Sequence, residues 1–170
     1  MHYLAKLAGV GCIAILAGNV NADDPKKALT DSDFVDMAST AIRAEVAAGR
    51  IAVTRAHNEE VKKFAALMAE QHAKANNELL IIVSDARIAI PEKLTAEQEK
   101  LLAHFQSGNI KDFDKEYMKH IVDAHEKAVS ACTKAAKECK NEKVKAFAEK
   151  SLPILKEHLA MAKKINEQLK

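Results

Sequence analysis

The chain has 170 residues, enough for one domain with a sizeable core, and its 26 basic and 24 acidic residues leave a formal net charge of +2. Lys and Glu are interspersed, with no basic block and no acidic tail, which argues against nucleic acid as a partner. Aromatics are 4% of the chain and Trp is absent, while Ala, Leu, Lys and Glu recur, the composition of helices that approach closely through small residues.

The first residues follow a different logic. Lys6 is the only charge before Asp23, the apolar run from Leu7 to Leu16 is too short for a stable membrane span, and Val20-Asn21-Ala22 places small residues where a signal peptidase reads. Residues 1–22 read as a secretory signal peptide, with a membrane anchor as the alternative that the short run disfavours. A lipoprotein reading around Cys12 meets Gly9 where a large aliphatic is wanted. Export to the periplasm or cell envelope is the expectation, with no transmembrane span in the mature chain.

After a lead over 23–30, Thr30-Asp31-Ser32-Asp33 offers cap chemistry for a helix running from Asp31 to the Asn58 turn. Its apolar stripe of Phe34, Ala38, Ile42, Gly49, Ala52 and Ala56 is broken once, by Glu45. A second helix, from Glu59 to about Asp85, carries Val61, Phe64, Met68, Ala75, Leu79 and Ile82, with His72 inside the stripe. Pro91 stops that helix. Thr95-Ala96-Glu97-Gln98 is a capping box that opens a short crossing helix ending by Ser107-Gly108. A third helix, from about Ile110 to Cys139, holds His125 in its stripe, and a fourth, from Glu142 to the C-terminus, holds His158, with Pro153 expected to kink it.

Val61-Lys62-Lys63-Phe64-Ala65, preceded by Asn58, has a counterpart 83 residues on in Val144-Lys145-Ala146-Phe147-Ala148, preceded by Asn141. Each copy follows a turn signal and reads as the second arm of a helical hairpin. Two hairpins joined by a long crossover containing a short helix predict an all-α, ferritin-like four-helix bundle over 31–170.

Cys132 and Cys139 lie seven apart on one helix, about 10 Å along its axis and beyond disulfide reach, so they read as buried small hydrophobes or as an intermolecular link. No Cys-x-x-Cys-His run is present, which excludes covalent c-type haem, and no phosphate loop or nucleophile elbow occurs.

Each long helix thus puts one ionisable side chain into its own core stripe: Glu45, His72, His125 and His158. Glu45 and His72 are equally far from the Asn58 turn, about 20 Å, and His125 and His158 are equally far from the Asn141 turn, about 25 Å. With the turns at opposite ends, the two pairs meet near mid-bundle. Three imidazoles and a carboxylate suit a single divalent transition metal, Zn, Cu, Fe or Mn by donor type, with Tyr117 and Asn76 as outer partners. The set has too few carboxylates for an ordinary di-iron centre. The competing reading is a satisfied core network, in which Glu45 pairs with a histidine and no ion is involved. His57, His104 and His120 read as surface or boundary residues.

At these residues the chain resembles a bacterial family of exported proteins catalogued as a domain of unknown function, labelled predicted outer-membrane proteins and grouped with ferritin-like folds. The matching features are Glu45 with Gly49, Val61-Lys62, Phe64-Ala65, Met68, His72 and Asn76, Pro91, Phe113-Asp114 with Tyr117, His125, and Phe147-Ala148 with Leu152-Pro153 and Glu157-His158-Leu159. The resemblance spans about residues 31 to 165 and implies a ferritin-like bundle and an envelope location, with no established activity. The expected function is metal handling or defence against oxidative stress through one bound ion. The alternative is a non-catalytic envelope protein whose polar core only sets helix register. An oxidoreductase would require an open coordination position and a channel to it.

Overall fold

The structure, a computed structural model, describes residues 28–169; the signal-peptide reading of 1–22 and Cys12 lie outside the described residues. Five helices follow in order: α1 Asp31–Arg55, α2 Glu59–Ala86, α3 Ala96–Ser107, α4 Phe113–Glu138 and α5 Glu142–Gln168. The described residues form an all-α bundle. None of its helices is long and apolar enough to cross a membrane.

The helix starts follow from local chemistry. Thr30 and Asp33 form a capping box, as do Thr95 and Gln98, and the Asn58 and Asn141 side chains each accept from two backbone N–H groups of the helix they open. α4 is the exception: its N-cap residue Asp112 makes no side-chain capping hydrogen bond, and the helix begins at Phe113 instead of near Ile110. Pro153 sits on the exposed side of α5, which continues through it to Gln168. Arg87 closes α2 in the left-handed region, at φ 53°, where glycine is ordinarily favoured.

α1 packs along α2 and α4 along α5, each pair joined by a three-residue turn. The turns stand at opposite ends of the bundle, and each is capped by the other pair. Asp114, in the first turn of α4, accepts from the N–H groups of His57 and Asn58 at 3.0 and 2.8 Å. Asp31, in the first turn of α1, accepts from those of Lys140 and Asn141 at 2.9 and 3.0 Å. These contacts repeat with the 83-residue offset seen in the sequence, so the duplication extends to a reciprocal, twofold-like pairing of the two halves.

Small residues set the spacing within the first pair. A Cβ on Gly49 would stand 2.9 Å from the Ala65 carbonyl oxygen and 3.2 Å from the Ala69 methyl, so the backbone of α2 occupies the space a side chain would need. Gly49→Ala is therefore expected to destabilise by about 1–3 kcal/mol despite the better helix propensity of Ala, read from the urea midpoint. An unchanged midpoint would mean that α2 yields freely.

The crossover is fastened to α1. Arg43 donates to the carbonyls of Pro91 and Glu92 at 2.7 and 3.0 Å, and Arg55 donates to those of Phe105 and Gly108. This lays α3 against α1 and buries Phe105 beside Phe113 and Tyr117, at ring distances of 5.7 and 6.0 Å. Two apolar clusters result. One, near the Asn58 turn, includes Met68, Phe105, Phe113, Tyr117 and Ile121; the other, near the Asn141 turn, includes Phe34, Leu79, Cys132, Val144 and Phe147. Cys132 and Cys139 are both free and buried in the second.

Candidate metal centre

Between the two clusters lies a polar layer. It consists of Glu45 from α1, His72 from α2, His125 from α4 and His158 from α5, with relative exposures of 7%, 6%, 0% and 2%. The imidazole centroids form a near-equilateral triangle with sides of 5.5, 5.6 and 5.5 Å. One nitrogen from each ring lies within 4.8 Å of the other two. The Glu45 Oε2 stands 3.0 Å from His72 Nε2 and 3.9 Å from His125 Nε2. The antiparallel helices with opposed turns therefore bring all four residues to one level.

The donor atoms are left without partners. Glu45 Oε2, His72 Nε2, His125 Nε2, His158 Nδ1 and the Tyr117 hydroxyl are all buried with no hydrogen bond. The 3.0 Å contact between Glu45 and His72 is close enough for an ion pair, yet its angles are not those of a hydrogen bond. Leaving several buried polar atoms unpaired in one place costs about 1–3 kcal/mol each.

Outer hydrogen bonds fix two of the rings. His125 Nδ1 donates to the Ile121 carbonyl at 3.1 Å, and His158 Nε2 donates to the Gln71 Oε1 at 2.7 Å. An imidazole whose one nitrogen donates outward presents the lone pair of the other inward, here His125 Nε2 and His158 Nδ1. Gln71 was invisible to stripe reasoning because it stands one residue before His72, off the apolar face; only the approach of α5 gives it a role. Tyr117 is fully buried beside the layer. Asn76 is half-buried one turn beyond His72 and makes no hydrogen bond among the described residues. His57 and His104 are exposed, the latter 2.6 Å from Glu116, whereas His120 is half-buried with its ring 5.6 Å from that of Phe105.

The electrostatics follow from this geometry. Burial alone would raise the Glu45 carboxyl, but His72 and His125 beside it hold it at about 2. Burial works to lower His72, and the adjacent Glu45 carboxylate overcomes it, so its value is raised. His158 is pushed down to about 4, first by burial and then by His125 and His72. Burial, with the Glu45 charge added, drives the Tyr117 phenol far above its ordinary value, so it remains a neutral O–H. For His158 the folded value lies below the unfolded one, so stability is lost as pH falls from about 6.5 towards 4, by an order of 3 kcal/mol. Glu45 adds a second loss between about 4.5 and 2, where its folded-state charge is finally neutralised. Urea midpoints of the chelator-treated protein across this range check both, and His158→Gln is expected to remove the first step.

A family model described as "Domain of unknown function (DUF4142)" matches residues 17–165. No curated protein matches the sequence. Among solved structures, the fold is similar to a DUF305 fragment from Deinococcus radiodurans, with a TM-score of 0.69 at 9% identity, covering 81% of this chain and 95% of that one. It is also similar to CopM in the Cu(II)-bound form, with a TM-score of 0.67 at 14% identity, covering 85% of this chain and 100% of that one. At these identities the likeness is one of fold.

Proposed function

The chain belongs to the DUF4142 family, and from that premise we propose that it is an exported, ferritin-like metal-handling protein of the cell envelope that binds one transition-metal ion through Glu45, His72, His125 and His158. The observation that carries this reading is the convergence of three buried imidazoles with one nitrogen each within 4.8 Å of the others, beside the Glu45 Oε2 at 3.0 Å from His72, two of the rings having their lone pairs set by outer partners. Donors on one tetrahedral ion, each about 2.0–2.1 Å from it, stand closer together than 4.8 Å, so an ion would draw the imidazoles inward. Nitrogen and carboxylate donors suit Zn, Cu, Fe or Mn, and the fold likeness to a protein solved with Cu(II) bound favours testing copper first. Tyr117, whose hydroxyl has no partner, is positioned to serve as an outer donor to Glu45 or to a bound species.

The test is elemental analysis and metal titration of the purified protein beside Glu45→Gln and His72→Ala. One equivalent of metal in the parent protein, lost or sharply weakened in both variants, supports the reading. No stoichiometric metal under any loading condition removes it.

A second reading rests on the 3.0 Å approach of Glu45 to His72: a structural ion pair that sets helix register, with the function lying in contacts to other proteins. It requires no metal, so the same titration separates the two.

A further inference from the structure

One face of the polar layer borders a cavity of about 550 Å³. Glu45, His72 and His158 form part of its wall with Gln71, Gln98 and His120, and much of the rest comes from the apolar cluster near the Asn141 turn. The cavity reaches the surface between α2 and α5, where exposed Lys74, Lys150 and Glu157 join the lining and a Lys150–Glu78 ion pair of 2.7 Å spans the two helices.

The internal duplication explains why the space is there. The repeat counterparts of Glu45, His72, His125 and His158, 83 residues away, are Ala128, Leu155, Ile42 and Ala75, and all four line the cavity. Ser151 and Ala38 line it as well, and their counterparts are Met68 and Ile121, which fill the opposite half of the bundle together with Phe105 of the crossing helix. Small residues on the cavity side thus stand where the other half has large ones, and the missing volume collects beside the donor atoms. The Ser151 hydroxyl is satisfied by the Phe147 carbonyl at 2.7 Å, so this wall offers a ligand no further hydrogen bond from that side chain.

We propose that this cavity is a ligand site for a small amphipathic carboxylate, whose apolar chain fills the chamber and whose head group meets the ion held by Glu45 and the three histidines. The inference rests on the metal reading above and adds to it a fifth ligand, taken up as the four-coordinate ion expands its shell towards a shaped, apolar approach. The size lies within the usual range for small-molecule sites, about 300–1,000 Å³, and the pattern of apolar walls with a few convergent polar groups is the ordinary one. Charge selects the head group. A divalent ion balanced by one carboxylate leaves a net positive charge in a dry site, and Lys127, half-buried in the cavity wall, has no ion pair among the described residues. An anion relieves both, whereas an amine would add to the charge.

The experiment uses the protein loaded with Co(II), whose visible spectrum reports its coordination, and titrates it with decanoate, decanol and decylamine. Decanoate is expected to bind and change the spectrum, while decanol and decylamine leave it unaltered. The double variant Ala38→Ile, Ser151→Met restores the volumes of the repeat counterparts; it should keep one equivalent of metal and weaken decanoate by about tenfold or more. Stoichiometric metal with no spectral response to decanoate, or a response that survives filling of the cavity, overturns the inference and leaves the metal reading standing. Absence of stoichiometric metal removes both. Should the double variant fail to fold, Ala128→Leu provides the same test from α4.

Discussion

Removing the His72 imidazole alone, as in His72→Ala, is expected to destabilise the metal-free protein by about 3–5 kcal/mol, because Glu45 then keeps a buried charge without its nearest counter-group. Glu45 is 7% exposed, and its carboxyl owes its low value to His72 and His125, so losing His72 takes away the larger of the two compensations. Replacing Glu45, His72, His125 and His158 together with packed apolar residues is expected to behave in the opposite way. The layer then joins the two apolar clusters into one, and stability should stay level or rise by about 1–4 kcal/mol. Denaturant unfolding of both variants decides the matter. A quadruple variant that fails to fold would show that the polar layer sets helix register and is not retained solely for binding.

Saturating the proposed site with Cu(II) or Zn(II) is expected to have the second large effect. A ligand that binds only the folded state at 1,000 times its Kd stabilises by about 4 kcal/mol. In a domain of this size that raises the melting temperature by roughly 10 °C. The increase should vanish in the quadruple variant and shrink in Gln71→Leu, which frees His158 Nε2 from its 2.7 Å partner and leaves the ring without an outer hydrogen bond to orient it. Such partners typically carry 10–100-fold in metal affinity, so Gln71→Leu should bind about that much more weakly, and the apo protein should also lose about 1–3 kcal/mol because the buried His158 Nε2–H has no acceptor left. Calorimetry with and without Cu(II) or Zn(II), at fixed ionic strength, reads the difference. Equal stabilisation of the parent and quadruple variants would place the metal on the surface.

If both outcomes hold, the polar layer is a site maintained at the expense of stability.

The sequence by itself determined the elements and the heights. Capping residues Thr30, Asn58, Thr95 and Asn141 act on the backbone within three residues, so helix starts could be read locally, and the fixed rise of a helix turned residue numbers into levels. Only the uncapped α4 began later than its apolar stripe suggested. Tertiary structure alone decided which nitrogen of His125 and His158 faces inward, that Gln71 and not Asn76 hydrogen-bonds a histidine of the layer, and that Asp31 and Asp114 cap each other's turns. The cavity belongs to the same class. It arises where small side chains from α1, α2, α4 and α5 meet around one volume, with Gln98 and Leu101 of α3 also in its wall, and no single stretch of chain records a volume that five helices share.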